Sequence, residues 1–404
     1  KTIYKRARKL PAGHCLTLEF DGKRAKGEPR VRRWWDADFT PNTAFERPEE
    51  VLEELGPLFE KVVRDHLIAD VPVGSFLSGG LDSTIVTTQA QQLLDTPLET
   101  FTIRFPRGKH DESTIAADNA RALGLHAHVQ DFDLEDLQER LPLGRELFDE
   151  PFGDHSFLPT LAVSELASKT MKVVLSGDGG DETHAGYGRY YKAEKRKRVN
   201  ALADSVRFAE PLLRTTSLTK IASVRNAMEG PLGRLCHWYG GIPKSAKRQF
   251  CELLHPDLQD YDDYWLYAEH HREDFSSMGR QQYMDLKTTL PEAILTKVDR
   301  ASMRCGLEVR PPLLDHRLVE FAASVPDHLK HANGEGKVLL RRVLDERLAA
   351  PNVNAGPKRG FSIPLDKFIR EDGLFRQERD VVVADAFRID AKKLAETLSL
   401  KRDA

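Results

Sequence analysis

The stretch of residues 73–83 constrains the fold more than any other part of this sequence. Residues 73–77 are a short apolar run of strand length, and residues 78–80 form a Ser-Gly-Gly turn in which the backbone can approach a ligand closely. Asp82 and Ser83 then open a predicted helix. A strand, a glycine turn and a helix N-terminus together predict an anion site, because unpaired N–H groups and the positive end of the helix dipole face the ligand.

The acidic residue in this turn, Asp82, indicates a metal-assisted phosphate site. A Walker A loop would carry a lysine after its last glycine, and none follows here. A carboxylate beside a phosphate needs a cation between the two negative charges, so Asp82 is predicted to be a ligand of a Mg²⁺ ion that bridges to phosphate oxygens. The alternative is that Asp82 and Ser83 simply cap the helix, since both residue types are preferred at that position.

Residues 78–83, Ser-Gly-Gly-Leu-Asp-Ser, resemble the signature loop of the ATP pyrophosphatases. These enzymes split ATP between its α and β phosphates. Several families share the loop, so the resemblance implies ATP and Mg²⁺ as cofactors without choosing the second substrate.

Length and composition indicate a multidomain protein of ordinary soluble type. The chain has 404 residues, of which 40% are hydrophobic and 30% charged, and its formal net charge is −3. That charge gives no reason to expect nucleic acid as a partner, and no run approaches the roughly 18 apolar residues of a membrane span. The four cysteines lie far apart and no apolar signal sequence follows the basic N-terminus, so a cytoplasmic protein with reduced thiols is expected.

Strands and helices alternate after an opening helix that is predicted over residues 48–69. Further strands are predicted over 100–105, 126–129 and 171–175, with helices over 112–123, 134–141 and 157–167 between them. This rhythm predicts an α/β fold with a doubly wound parallel sheet. Such sheets bind ligands at the carboxyl ends of their strands, so a nucleotide should lie beside the turn at 78–82.

A second glycine-and-acid loop, residues 176–182, leaves the last of these predicted strands. Two carboxylates from separate strand ends can hold one Mg²⁺ on a polyphosphate, and Asp82 and Asp181 are the predicted pair. The alternative for this loop alone is a tight turn rich in Gly and Asp. Two such loops at corresponding strand ends favour the metal site.

The ordered motifs resemble the synthetase domain of glutamine-hydrolysing asparagine synthetases and their relatives. Besides the two loops, the chain carries Asp-Glu-Pro-Phe at 149–152 and further motifs at 297–303, 307–315 and 358–361. The resemblance covers about residues 51–368. It implies an adenine nucleotide alpha hydrolase-like fold of the PP-loop type, with a large C-terminal α-helical extension.

The resemblance also implies roles for individual residues. Main-chain groups of Leu77 and Ile103 would bind adenine, and Lys358 would neutralise phosphate charge in the transition state. Two acids of the second loop, Asp178 and Glu182, would face the amino-acid substrate. The remaining implied nucleotide contacts come from the two loops: Ser78, Gly79, Gly80, Asp82 and Ser83 in the first, and Ser176 and Gly177 in the second.

The residues that the resemblance implies for catalysis are Asp82, Asp181 and Lys358. One departure from the family pattern adjoins this set, because Thr-His-Ala stands at 183–185 where relatives usually have Leu-Phe-Gly. The departure changes packing near the second loop and removes no predicted ligand.

Charged residues alternate with apolar ones from Lys297 to Arg310. A buried network that braces the helical part against the sheet explains them at least as well as substrate contact, although Arg300 or Arg310 could meet a carboxylate. The basic run at 192–198 is interpreted as a solvated helix face, because it lacks the interleaved aromatic residues of a nucleic-acid site.

Three domains are predicted. Residues 1–38 contain a hairpin that resembles the last hairpin of a glutaminase (Ntn-type) domain, the rest of which is expected to be missing through truncation, cleavage or disorder. The alternative is an ordinary edge hairpin, since a lone hairpin must pack on something. Residues 45–200 form the predicted PP-loop α/β domain, and residues 201–404 form the helical part of the synthetase domain.

The leading functional hypothesis is ATP-dependent conversion of aspartate to asparagine. The carboxylate is adenylated, pyrophosphate leaves, and ammonia is supplied from glutamine by the glutaminase domain. The first alternative is the same chemistry on another acid, such as a cell-surface sugar, a peptide or a β-lactam precursor. The second is a non-catalytic nucleotide-binding subunit. The expected partners are a small-molecule acid and the glutaminase domain, with no nucleic acid and no membrane. The sequence does not decide whether the chain forms a homodimer.

Overall fold

The structure is a computed structural model that describes residues 2–106, 112–195, 264–356 and 363. The backbone divides into two compact units, of which the first comprises Lys1–Lys195 and Arg272–Ile363. The second comprises Arg196–His271 and Pro364–Ala404, and its described part contains one helical turn, Trp265–Ala268. All other elements named below belong to the first unit.

Nine strands form three sheets in the described part of the chain. They are β1 (His14–Asp21), β2 (Arg24–Arg33), β3 (Val73–Phe76), β4 (Glu99–Arg104), β5 (His126–Asp131), β6 (Val173–Leu175), β7 (Glu308–Arg310), β8 (His331–Ala332) and β9 (Glu335–Gly336). β1 and β2 form one antiparallel hairpin, β8 and β9 form another, and the other five strands form the central sheet.

The central sheet is parallel throughout, with the strand order β5-β4-β3-β6-β7. The chain runs outward from β3 to β5 and then returns to the opposite side of β3 for β6 and β7. The direction of winding therefore reverses between β3 and β6, which is the switch point where such sheets bind ligands. This order confirms the predicted α/β fold with a doubly wound parallel sheet.

Fourteen α-helices, several of a single turn, occur among the described residues. They are α1 (Pro48–His66), α2 (Leu81–Gln92), α3 (Ser113–Leu123), α4 (Leu134–Arg140), α5 (Gly144–Leu147), α6 (Phe157–Ser168), α7 (Gly180–Thr183), α8 (Gly188–Lys195), α9 (Trp265–Ala268), α10 (Ser277–Lys287), α11 (Thr296–Arg304), α12 (His316–Ser324), α13 (Asp327–Lys330) and α14 (Val338–Arg342). Segments of π-helix span Leu290–Leu295 and Val343–Leu348, and 3₁₀ turns span Leu141–Leu143 and Pro312–Leu314. None of the described helices combines the length and apolarity that a bilayer crossing needs.

The main core lies where α1 and α2 pack against helices from the C-terminal part of the first unit. Val51, Leu55 and Phe59 recur at helical spacing on α1 and are almost completely buried. Leu339 and Leu340 of α14 belong to the same apolar cluster. This burial holds α2 and α14 side by side, and both helices begin at the site described below.

Most predicted elements are present, with ends that differ by a few residues. α1 ends at His66, and β5 continues to Asp131. Gly124 ends α3 as predicted, in the left-handed conformation with φ 67° that glycine adopts without a steric penalty.

Three short strands, β7, β8 and β9, lie where the sequence pattern predicted helices. β7 pairs with β6 as the outer strand of the central sheet, with Val309 opposite Val174. The prediction of an α-helical extension therefore missed this strand of the central sheet. The strand has only three residues, Glu308–Arg310, which are too few and too polar to show a strand period. The three predicted domain boundaries stay predictions.

The N-terminal hairpin forms as predicted, with Asp21 opposite Arg24. All residues of β2 are exposed, whereas the chain that follows the hairpin enters the first unit. There, Ala37 and Phe39 are buried in a cluster with Tyr283. The assignment of the hairpin to a glutaminase domain stays a prediction.

Candidate active site

A cavity of about 790 Å³ lies at the carboxyl ends of β3, β4 and β6, which is the switch point of the sheet. Gly79 does not contribute to its wall, and Lys358 lies outside the described residues. The wall includes the other predicted site residues: Leu77, Ser78, Gly80, Asp82, Ser83, Ile103, Ser176, Gly177, Asp178, Asp181 and Glu182.

The hydroxyl groups of two serines hold the first loop. The Ser83 hydroxyl accepts the N–H of Ser78 at 3.1 Å, and the Ser78 hydroxyl accepts the N–H of Gly80 at 3.3 Å. Gly79 has a φ of 81°, and a Cβ there would lie 2.8 Å from the carbonyl oxygen of Glu112. Two of the N–H groups that were predicted to face phosphate thus have partners inside the loop.

Glycines of the second loop bring it against the first. A Cβ on Gly177 would lie 2.5 Å from the backbone nitrogen of Ser83, and one on Gly180 would lie 2.5 Å from Oδ1 of Asp82. The gap at Gly177 faces backbone atoms and cannot hold a side chain, so the close approach of the loops requires glycine there. The gap at Gly180 faces the Asp82 carboxylate, which a side chain at 180 would displace. As a result, Asp181 arrives beside Asp82.

A lysine joins the two predicted metal ligands. Nζ of Lys337 lies 2.6 Å from Oδ1 of Asp181 and also contacts Oδ2 of Asp82. The lysine side chain is only 7% exposed. Burial lowers the pKa of Lys337, but the two adjacent carboxylates outweigh burial and the net shift is upward. The ammonium therefore stays charged between the two acids.

The alternative interpretation of Asp82 as a helix cap was wrong. The N-cap residue of α2 is Gly80, and Asp82 is the second residue of the helix. Its carboxylate contacts the Lys337 ammonium, while its position in the first turn still suits the positive end of the helix dipole.

The carboxylate pair fits a divalent cation. Oxygens from Asp82 and Asp181 already contact one cationic nitrogen, so they are close enough to share a single ion. Mg²⁺ in nucleotide sites is commonly bound by one or two carboxylates, with substrate phosphates and water as its other ligands. The requirement that the two acids lie together at one edge of a cleft is therefore met.

The residues implied to bind adenine lie at the ends of β3 and β4. The N–H of Leu77 donates to the carbonyl of Phe101 at 3.0 Å, and the Leu77 carbonyl accepts the Thr102 hydroxyl at 2.6 Å. The Leu77 N–H is thus engaged in sheet bonding. The Leu77 carbonyl uses one lone pair for Thr102, and its second lone pair can accept a hydrogen bond from a base. Ile103 and Phe105 add apolar surface to the same wall.

Another part of the wall carries charges that suit an acid substrate. Asp178 accepts the Ser176 hydroxyl at 2.8 Å, and desolvation raises the pKa of Asp178. Lys297 donates to the Asp154 carboxylate at 3.0 Å and to the Ser156 hydroxyl at 2.7 Å. Lys297 and Asp154 both line the cavity. Lys297 is therefore the member of the charged series 297–310 that reaches the site.

The side chains of two arginines of the same series make contacts that do not involve the cavity wall. Arg310 donates to the carbonyls of His66 and Ile68, at 2.9 and 2.8 Å, and so ties β7 to the end of α1. Arg300 pairs with Asp149 at 2.8 Å, and both side chains are well exposed. Arg310 thus braces the edge of the sheet against α1, while the predicted buried network between the helical part and the sheet stays a prediction.

Glu182 is buried and accepts a hydrogen bond from the Tyr187 hydroxyl at 2.6 Å. Burial, and then the charge of the adjacent Asp181, raise the pKa of Glu182 to about 7. A carboxyl group with this pKa can exchange a proton near neutrality. Tyr187, which also lines the cavity, was not predicted from the sequence.

Sequence reasoning also missed two basic residues of the wall, Lys337 and Arg341. They are one helical turn apart, since the N–H of Arg341 donates to the carbonyl of Lys337 at 3.0 Å. The local signal for them was weak: a glycine-containing hairpin at 333–336 followed directly by a helix. The same succession of glycine turn and helix marks the first loop.

His184, the central residue of the Thr-His-Ala departure, is buried without charge. Its Nδ1 lies 2.8 Å from the Thr183 hydroxyl. Burial, and then the nearby Lys330 and Lys337, lower the pKa of His184 from 6.5 to about 3. The unfolded chain binds a proton at this residue below about pH 6.5 while the folded chain does not, so this contribution to stability is complete above that pH and is lost as the pH falls toward 3.

We expect the free energy of unfolding to fall by about 1.4 kcal/mol per pH unit below pH 6.5 because of His184. Urea unfolding at about pH 7.5, 6.5 and 5.5 measures this slope for the chain and for His184→Phe, which cannot titrate. An equally steep slope in His184→Phe would contradict the prediction.

The fold and the site together define a class of protein. A doubly wound parallel sheet with a glycine-and-acid loop at each of two neighbouring strand ends is a PP-loop α/β domain of the adenine nucleotide alpha hydrolase-like type. Residues 54–402 match the family model "Asparagine synthase", and the chain belongs to that family. This confirms the resemblance of its ordered motifs.

Curated relatives span much more sequence than this chain. Asparagine synthetase [glutamine-hydrolyzing] 1 of Bacillus subtilis is 28% identical over 382 residues, which are 92% of this chain and 58% of the relative. A putative asparagine synthetase of Mycobacterium tuberculosis is 30% identical over 386 residues, 92% of this chain and 56% of its own length. Amidase chry2 of Gibberella zeae is 26% identical over 372 residues, which are 81% of this chain and 53% of the relative. The chain thus spans little more than half the length of these relatives.

Among solved structures, the NH3-dependent NAD synthetase of Campylobacter jejuni is similar at 16% identity, over 45% of this chain and 94% of that chain, with a TM-score of 0.24. The fold assignment depends on the strand order and loop positions of the chain itself.

Proposed function

We propose that the chain is an ATP-dependent ligase that adenylates a carboxylic acid and transfers the acyl group to ammonia. The acid is aspartate and the product asparagine in this proposal, with glutamine as the normal source of ammonia. The observation that carries the proposal is the convergence of Asp82 and Asp181 on one cation at the switch point of the sheet. Family membership supports the same chemistry.

The proposed reaction has two steps. A carboxylate oxygen of the acid attacks the α-phosphorus of ATP, the bond from that phosphorus to the bridging oxygen breaks, and pyrophosphate leaves. Ammonia then attacks the acyl carbon and loses a proton, and AMP leaves with its oxygen. Catalysis in such transfers is mostly positioning and neutralisation of charge on the phosphates.

The wall of the cavity offers a group for each task. Asp82 and Asp181 would hold Mg²⁺, which when bound neutralises charge on the departing phosphates. Lys297, held by Asp154, presents a cation to a carboxylate of the substrate. Glu182, with a pKa of about 7, is suited to accept the proton that the attacking nitrogen releases. Lys358 retains its proposed role at the phosphates.

A second candidate is the same adenylation of a different acid. One part of the cavity wall is apolar, formed by Val163, Ala293, Ile294 and Val298, which gives an acid with an apolar body a surface to bind. Relatives named as amidases also belong among the similar proteins. A non-catalytic nucleotide-binding subunit is disfavoured, because both acids and a cation are in place at the site.

Pyrophosphate release tests the proposal. The chain is incubated with ATP, Mg²⁺ and ammonium chloride and with one member at a time of a panel of acids, and pyrophosphate, AMP and the amide product are measured. We expect aspartate to stimulate release, with equal amounts of pyrophosphate and AMP and with asparagine identified by mass spectrometry. Stimulation by another acid alone would select the second candidate. If ATP binds but none of the acids stimulates pyrophosphate release, ligase activity is rejected.

A further inference from the structure

A buried lysine lies between the two acids of the site. Lys337 contacts both Asp82 and Asp181, the residues that are proposed to hold the metal ion of the nucleotide. Its ammonium therefore occupies the position that a shared cation would take. The lysine lies 255 residues from Asp82 in sequence, so the tertiary fold brings the two side chains together.

The backbone around Lys337 is built to place this side chain. Lys337 has a φ of 58°, which is costly for a residue with a side chain, and its N–H donates to the carbonyl of His184 at 2.9 Å. A Cβ on Gly186 would lie 2.2 Å from Cε of Lys337 and 2.0 Å from Oδ1 of Asp181. Glycine at 186 thus leaves a slot through which the lysine reaches the acids.

Two facing carboxylates need positive charge, and one ammonium contacts both of them. Without a cation, Asp82 and Asp181 would repel each other in a largely buried place. The ammonium and a divalent ion both satisfy the pair through carboxylate oxygens. Because each would contact the same oxygens, they compete for one position.

We propose that Lys337 is a built-in counter-cation that keeps the two loops together and excludes free divalent cations until metal-bound nucleotide occupies the site. Lys337 is then a positioning residue with a selective effect, since metal alone would not replace it but metal together with phosphates would. This inference relies on the proposed nucleotide site, and it goes further by assigning a competition between a side chain and a metal ion.

A second basic side chain lies near Lys337 in the wall of the cavity. Arg341 follows one helical turn later and lines the same cavity, and it forms no ion pair with an acid among the described residues. Phosphates bound beside the first loop would attract both basic side chains. Contacts with phosphate would therefore compensate the ammonium charge once a metal ion takes its place between the acids.

Metal binding in the absence of nucleotide tests the inference. The affinity for Mn²⁺, a spectroscopic substitute for Mg²⁺, is measured by electron paramagnetic resonance on the chain, on Lys337→Met and on Lys337→Met/Asp82→Asn. We expect weak binding by the chain, binding about tenfold or more tighter by Lys337→Met, and loss of the gain in the double variant. The matched control is Lys287→Met, which removes another buried lysine, paired with Asp36 away from the site, and should leave Mn²⁺ affinity unchanged.

A second measurement covers a variant that folds poorly. Mg²⁺ should raise the thermal midpoint of Lys337→Met, or restore its folding, without raising that of the unaltered chain. On the unaltered chain, Mn²⁺ should bind with a non-hydrolysable ATP analogue and not alone. Tight Mn²⁺ binding by the chain without nucleotide, or a folded Lys337→Met without any gain, would overturn the inference. None of these readouts needs turnover, so the inference and the proposed ligase activity can fail separately. If Lys337→Met binds Mn²⁺ more tightly but no acid supports pyrophosphate release, this inference stands and the ligase activity is rejected.

Discussion

Asp181→Asn and Asp82→Asn are each expected to lower acid-dependent pyrophosphate release at least about a hundredfold, while the chain stays folded. Each change removes one of the two charges that would hold the metal ion on the phosphates, and asparagine is a much weaker ligand for Mg²⁺ than a carboxylate. Stability should change by no more than about 1 kcal/mol, because the Lys337 ammonium keeps one carboxylate partner and the repulsion between the two acids disappears.

The measurement is pyrophosphate release at saturating ATP, with the melting temperature recorded on the same samples. Asp118→Asn is the matched control, since that carboxylate is 57% exposed and pairs with Arg121 on the surface, and its rate should stay unchanged. Retention of activity in Asp82→Asn with a large fall in melting temperature would show that the acids are structural and would remove the basis of the proposed function.

The sequence allowed four of the five strands of the central sheet and one half of the site to be predicted, because these depend on local patterns. Glycine turns at 78–80 and 177–180 each follow an apolar run, and strand ends in a parallel sheet lie at one edge. These patterns alone predict that Asp82 lies near Asp181. They do not reveal how close the loops come, since the contacts of Gly177 with the first loop are contacts between distant parts of the chain.

Lys337 could not be predicted for the same reason. Its place in the site depends on a left-handed backbone at Lys337, on the gap left by Gly186 and on a contact with Asp82, which is 255 residues away in sequence. None of these is a property of the surrounding sequence. The interpretation of Asp82 as a helix cap was wrong because the N-cap residue is Gly80, two positions earlier. Local preferences for Asp and Ser at helix starts do not determine which backbone group the side chain contacts.

Gly177→Ala is expected to separate the two loops and to lower both stability and activity. The added methyl group would lie 2.5 Å from the Ser83 nitrogen and 2.7 Å from the Asp82 carbonyl carbon. Both are backbone atoms, so rotation of a side chain cannot relieve the overlap, and one loop must move. We expect a loss of about 1–3 kcal/mol in the free energy of unfolding, as for other overpacked positions, and a loss of pyrophosphate release comparable to that of Asp181→Asn.

Gly153→Ala makes this expectation specific to the contact between the loops. A Cβ on Gly153 would meet nothing within 4 Å, so the same chemical change there should leave stability and rate nearly unaltered. Urea unfolding and pyrophosphate release are measured on both variants. If Gly177→Ala behaves like Gly153→Ala, the loops have room to spare, and the convergence of Asp82 and Asp181 does not depend on glycine. If it loses activity while Gly153→Ala does not, the second loop acts by its distance from the first, because no charged group has been changed.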